Sequence, residues 1–166
     1  MIEVIDNFLD PSIFETIKRS ICYTDNFPWY LSTGVSNAIE GNKKSVDGNY
    51  FYHLLYYNHI PNSEFFRIVI PILEKIQPFA INRIKANFYP STNNIIYHGW
   101  HKDYPFNHRG CVYYLNSNNG KTIFETGEEI NSIENRMIFF DPSKNHRSTT
   151  CSDDPVGRYN INFNYY

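Results

Sequence analysis

Apolar and polar positions alternate with a period of two along most of the C-terminal half of this chain, whereas the N-terminal half changes period twice. Ile2 and Val4, with Phe8 beyond them, read as a short strand within residues 1–8. Asp10 and Pro11 form a helix start, a capping carboxylate followed by a residue that the first turn tolerates. Ile13, Phe14, Ile17 and Ile21 recur at helical spacing, which predicts a helix over 11–23. From Thr24 to Pro61 no period is sustained. Gly34, Gly41 and Gly48 interrupt the aromatic clusters Phe27-Pro28-Trp29-Tyr30 and Tyr50-Phe51-Tyr52, so short strands mixed with loops are expected. Residues 63–79 carry the strongest helical stripe: Phe65, Phe66, Val69, Ile72, Leu73 and Ile76. Pro71 lies inside it and costs a regular helix interior on the order of 3 kcal/mol, which predicts a kink or a late start.

Beyond Phe79 the period-two runs are 81–89, 95–100, 112–115, 122–126, 129–133, 137–140 and 159–165, separated by Asn and Gly turns. Short strands at this spacing predict a sandwich or barrel. The aromatic share of 17% fits, because flat rings fill a pleated, half-buried surface. At 166 residues one domain is expected, with a strand, helices and loops over about 1–79 and a β core over about 80–166.

Charge narrows the partners. With 15 basic and 17 acidic residues and no basic block beyond Lys43-Lys44, the chain lacks the electrostatic footprint of a nucleic-acid binder. No apolar run approaches membrane-spanning length, and the first residues lack the pattern of a signal peptide. Cys22, Cys111 and Cys151 are odd in number without a C-x-x-C, so reduced thiols in a cytoplasmic protein are expected, Cys111 in a core strand. Nothing in the sequence indicates an oligomeric state.

Candidate chemistry is concentrated in His101-Lys102-Asp103, His146 and Arg158. On a strand, residues two apart share a face, so His101 and Asp103 could grip one ion, with His146 as a third ligand from another strand. Two His and one carboxylate with open positions opposite is the ligand set of non-haem Fe(II) oxygenases. Arg158 follows His146 by twelve positions (158 − 146) and offers a planar fork for a carboxylate. His98 makes H-x-x-H with His101, but on a strand the two point apart; His108 reads as a surface loop residue, and His53 and His59 as structural or exposed.

The motifs around these residues occur in a particular order: Asn87-Phe88-Tyr89-Pro90, Cys111-Val112-Tyr113-Tyr114-Leu115-Asn116, Gly120-Lys121-Thr122-Ile123-Phe124, Asn135 to Asp141, His146-Arg147, and Gly157 to Phe163. Together they resemble the 2-oxoglutarate/Fe(II)-dependent dioxygenases, in the branch near the prolyl 4-hydroxylases and closest to small stand-alone bacterial and phage members. The likeness is densest from Ile81 onward. It implies a double-stranded β-helix (jelly roll) with N-terminal helices packed on its outer face, and Fe(II) on His101, Asp103 and His146. It also implies 2-oxoglutarate anchored by Arg158, with Tyr113, Tyr89 and Asn160 in the cosubstrate pocket. The implied reaction consumes O2 and 2-oxoglutarate, releases succinate and CO2, and hydroxylates an aliphatic centre, such as a prolyl or other amino-acid side chain, on a small molecule, peptide or protein. Ascorbate would serve as reductant. The competing readings are a catalytically idle metal-binding barrel and an oxidative nucleic-acid dealkylase; the latter branch carries a second Arg six residues after the first, where this chain has Asn164. Substrate selectivity is expected in the loops of 24–61 and 104–109.

Overall fold

A computed structural model describes residues 1–34 and 48–166. In chain order the elements are β1 (Glu3–Ile5), α1 (Pro11–Cys22), β2 (Tyr30–Ser32), β3 (Tyr50–Tyr57), β4 (Ile60–Pro61), a 3-10 helix (Glu64–Val69), α2 (Ile70–Ile76), β5 (Ile81–Pro90), β6 (Arg109–Tyr114), β7 (Lys121–Phe124), β8 (Glu129–Asn131), β9 (Met137–Phe140), β10 (His146–Ser148) and β11 (Gly157–Tyr165). The described strands form two sheets. The larger has the order β1-β9-β6-β11-β5-β3-β2 with β4 beside β3, and the smaller is β10-β7-β8. The chain is thus mainly β, with two short α-helices and two sheets in a sandwich.

Local chemistry sets the element ends. Asp10 caps α1 by accepting hydrogen bonds from the Ser12 N–H at 2.9 Å and the Ser12 hydroxyl at 2.7 Å. The stripe of 63–79 divides at Pro71. A 3-10 helix, capped by Ser63 accepting from the Phe65 N–H, precedes α2, and Pro71 occupies the first turn of α2, where its missing donor costs no hydrogen bond. The late start is therefore the one realised.

Two differences from the sequence expectation bear on the site. The run 95–100 is not a strand: Tyr97 makes one isolated bridge to Thr149, and the segment is otherwise irregular. The loop-rich stretch before Pro61 holds an eight-residue strand, β3, which pairs with β5 in the larger sheet. Tyr50-Phe51-Tyr52 belongs to it, whereas Gly41 and Lys43-Lys44 lie outside the described residues.

Both faces of the large sheet are covered. Tyr159, Ile161, Phe163 and Tyr165 of β11 join a buried cluster with Cys111 and Tyr113 of β6, Phe14, Ile17 and Ile21 of α1, and Ile72 of α2. The opposite face of β6 supplies Val112 and Tyr114 to a second cluster with Ile138 and Phe140 of β9 and Phe124 of β7. Between these sheets β11 presents Arg158, Asn160, Asn162 and Asn164, all buried. A one-residue slip of β11 would exchange these two sets, forfeiting about 1.5–3 kcal/mol for each large apolar side chain displaced. The register is fixed by that penalty. Among the described residues no helix is long and apolar enough to cross a membrane.

Candidate active site

His101 and His146 face each other as an isolated antiparallel bridge, each N–H donating to the other's carbonyl at 2.9 Å, with ring centroids 4.5 Å apart. In each ring Nδ1 lies against the carbonyl two residues earlier, Gly99 O at 3.2 Å and Lys144 O at 3.0 Å. A carbonyl only accepts, so Nδ1 of the neutral ring carries the proton and Nε2 keeps its lone pair. Asp103 is placed not by a strand but by a bend, its N–H donating to Pro142 O at 2.9 Å. Potential ligand atoms of His101, Asp103 and His146 lie within 4.8 Å of one another.

The Asp103 carboxylate is tethered at both oxygens. Oδ1 accepts from Arg83 Nη2 at 3.0 Å, and Oδ2 accepts from Asn162 Nδ2 at 3.1 Å. A carboxylate has about four lone-pair sites, so a metal can still be held. Burial opposes its ionisation, but Arg83, His146, His101 and Lys85 outweigh that and hold the acid far below the ordinary carboxylate range. His101 is pushed down to about 4 by burial and by His146, against the pull of Asp103. Both groups are therefore in their ligand forms at neutral pH.

Arg158 lies at the other end of the same cavity and is fully buried. Its Nη1 donates to Thr149 O at 3.2 Å and its Nη2 to the Thr122 hydroxyl at 3.0 Å, while Nε has no partner among the described residues. The guanidinium sits 5.5 Å from the Tyr89 ring centroid and 5.3 Å from that of Tyr114. Two glycines make room for this arrangement. A Cβ on Gly120 would meet Arg158 Cδ at 2.6 Å, and one on Gly157, at φ +149°, would meet Tyr89 O at 2.3 Å. No ion pair to Arg158 forms among the described residues. A charge removed from water without a counter-charge is costly, so this site fits an incoming carboxylate.

Tyr89 and Asn160 also line the cavity. Burial pushes the Tyr89 hydroxyl up to about 12, which keeps it protonated and able to donate. Asn160 Oδ1 accepts from Asn87 Nδ2 at 3.0 Å.

Tyr113 is a correction to the sequence reading. It projects from the opposite face of β6, where its hydroxyl donates to Asn135 Oδ1 at 2.6 Å and its ring packs edge-on against Phe8 and Phe14. The adjacent Tyr114 faces the interior instead, donating to the Thr122 hydroxyl at 2.7 Å beneath Arg158. Tyr113→Phe is expected to cost about 1 kcal/mol of stability in urea denaturation, the usual net worth of one hydrogen bond, without affecting carboxylate binding. Tyr114→Phe should weaken that binding modestly, which a parallel ligand titration would read.

Among the other histidines, His98 is buried, its Nδ1 2.8 Å from the Ser148 hydroxyl and its ring 5.2 Å from that of Tyr89, outside the ligand group. His108 is buried too, not on the surface, with Nε2 2.7 Å from Asn164 Oδ1. His53 is buried and His59 exposed. Burial, then Arg158 and His101, push His98 down to about 3, and burial lowers His53. An unfolded imidazole titrates near 6.5, so on acidification the unfolded chain takes up protons that the native chain refuses. The urea midpoint of the metal-free protein should therefore fall as pH drops below about 6.5, and a flat midpoint down to pH 5 would contradict this.

The sequence reading missed Arg83, Lys85, Asn87, Thr122, Ser148 and Asn162 around the cavity. A signal for several existed. Arg83, Lys85, Asn87 and Tyr89 alternate with Ile84, Ala86 and Phe88, just as the polar residues of β11 alternate with its apolar ones. A roomier groove lined by Pro28, Tyr30, His53 and Phe65 opens elsewhere and holds none of the ligand trio.

No family model matches the sequence, and no curated protein does. Solved structures do match in fold. A prolyl hydroxylase from Trichoplax adhaerens, in complex with a hypoxia inducible factor oxygen degradation domain peptide fragment, is similar at TM-score 0.69 and 14% identity, over 99% of this chain and 83% of that one. The viral collagen prolyl hydroxylase of Paramecium Bursaria Chlorella virus-1, in its 2OG complex, is similar at TM-score 0.62 and 14% identity, over 98% and 94%. An oxidoreductase of the 2OG-Fe(II) oxygenase family from Burkholderia pseudomallei is similar at TM-score 0.67 and 10% identity, over 99% and 84%. The chain has the fold of these oxygenases.

Proposed function

We propose that this chain is a 2-oxoglutarate- and Fe(II)-dependent dioxygenase that hydroxylates an aliphatic C–H centre, on a prolyl or other amino-acid side chain, with release of succinate and CO2. In this reading residues 1–166 form a single dioxygenase domain built on a double-stranded β-helix. The observation that carries it is the buried Arg158, free of any carboxylate among the described residues, in one cavity with His101 and Asp103, whose ligand atoms His146 joins.

His101, Asp103 and His146 would hold the metal, which supplies activation of O2 when bound. Arg158 would fix the distal carboxylate of the cosubstrate, with the Thr122 hydroxyl and the Tyr89 ring beside it. The carbonyls of Gly99 and Lys144 keep both imidazoles in the ligating tautomer. Arg83 and Asn162 orient Asp103 without occupying all its lone pairs.

A peptide or protein substrate is favoured by the likeness to the peptide-bound Trichoplax enzyme. Three free thiols fit a reducing compartment such as the cytoplasm. An idle metal-binding barrel leaves the buried Arg158 without a purpose. The second Arg of a nucleic-acid dealkylase is missing here, its place taken by Asn164, which is turned inward onto Asn162 and His108. The test is aerobic incubation with Fe(II), 2-oxoglutarate and cell extract. Succinate formation and oxygen-sized mass gains in extract components are expected, and their joint absence would count against the assignment.

A further inference from the structure

The cavity floor carries more positive charge than its own residues neutralise. Three cations stand on this face of β5 and β11: Arg83, Lys85 and Arg158. Arg83 is ion-paired with Asp103. Arg158 has no carboxylate partner among the described residues, and its part in the proposed function is the cosubstrate anchor. Lys85, partly buried, is left over.

Among the described residues its Nζ makes one hydrogen bond, to the Tyr50 hydroxyl at 3.2 Å, and it lies 5.3 Å from the Tyr50 ring centroid. Among the described residues no carboxylate pairs with it. An ammonium has three donors, so two remain for a ligand. The ordinary explanation of such a lysine, a stem along apolar surface with its head in water, does not apply: the side chain lines the site cavity, and Tyr50 is 6% exposed. Nor does Lys85 duplicate Arg158. Lys85 pairs with Asn162 and Arg158 with Tyr89, four residues along each strand (162 − 158 and 89 − 85), or about 13 Å between their backbones.

We propose that Lys85 forms a second carboxylate-binding position in this cavity, separate from Arg158, with the Tyr50 hydroxyl steering its ammonium. It rests on the proposed function only for the source of the carboxylate, which is either the substrate or the keto-acid end of 2-oxoglutarate.

Two measurements decide it. Crystals of the metal-free protein, soaked in bromide, should show an anomalous bromide within hydrogen-bond reach of Lys85 Nζ. Lys85→Met should lose it, as should Lys85→Gln, which keeps a donor for Tyr50 but no charge. Separately, 2-oxoglutarate is titrated anaerobically into the Fe(II)-loaded proteins by its charge-transfer band. A loss of about tenfold or more in either variant assigns the position to the cosubstrate. Bromide at Lys85 with unchanged 2-oxoglutarate affinity assigns it to a carboxylate on the substrate. No bromide at Lys85 together with unchanged affinity overturns the proposal. A wild-type protein without any charge-transfer band would refute the oxygenase reading instead, and the bromide result would still decide Lys85.

Discussion

Arg158→Ala is expected to weaken 2-oxoglutarate binding by more than tenfold while leaving Fe(II) affinity nearly unchanged. The guanidinium is fully buried, held by Thr149 O and the Thr122 hydroxyl, and flanked by two tyrosine rings. Truncating one partner of a desolvated, hydrogen-bonded charge pair costs roughly 2–5 kcal/mol, and each ~1.4 kcal/mol is a factor of ten. The iron should be indifferent, because Arg158 is outside the ligand trio. The readout is the visible charge-transfer band that develops when 2-oxoglutarate chelates Fe(II) without oxygen. Identical titrations of wild type and variant would leave the idle metal-binding barrel as the better account. Arg158→Lys should recover only part of the affinity, since an ammonium cannot reproduce a planar fork.

Loss of one metal ligand should be the more drastic change. Anaerobic Fe(II) titration of His101→Ala, Asp103→Ala or His146→Ala should show affinity lowered by more than the roughly 10–100-fold typical of outer-shell partners. Asp103→Ala does two things at once: it removes an anionic ligand and leaves Arg83 without its counter-charge. It should therefore also destabilise the metal-free protein, whereas His101→Ala should do so less. His98→Ala should bind Fe(II) normally, as its ring is turned toward Ser148 and Tyr89. Wild-type affinity in all three ligand variants would end the assignment, and iron loss on His98→Ala alone would show the wrong histidine had been chosen.

How much of this was legible in the sequence depended on the range of the forces involved. Asp10 at its cap and Pro71 in the first turn of α2 act within one helical turn, so their effects could be read directly. The β11 alternation was equally plain, because its period records which face each side chain takes. Tyr113 and Tyr114 are both fully buried aromatics on one strand, and only pairing with β9 and β11 decides which looks inward. The sequence reading chose the wrong member of that pair. His101 and Asp103 were singled out on a strand-like spacing, yet a bend and one bridge to His146 bring them together. The alternation marks the face that Lys85, Arg83 and Asn162 take, but not what they do there. They meet across the β5–β11 seam, where Asn162 and Lys85 pair 77 positions apart (162 − 85), and their bonds run to Asp103 and Tyr50 on other elements.

That seam has a consequence for biosynthesis. β11 occupies the middle of the large sheet, between β5 and β6, yet in chain order it follows all the other described strands and is synthesised after them. Until residues 157–165 emerge, β5-β3 and β6-β9 are two half-sheets with unpaired edges, open to pairing with other chains. Such an intermediate already contains His101, Asp103 and His146 but lacks Arg158. A translating chain would thus acquire the side chains proposed to hold the metal before the one proposed to retain a cosubstrate, and the nine-residue β11 closes the sheet and completes the cavity together.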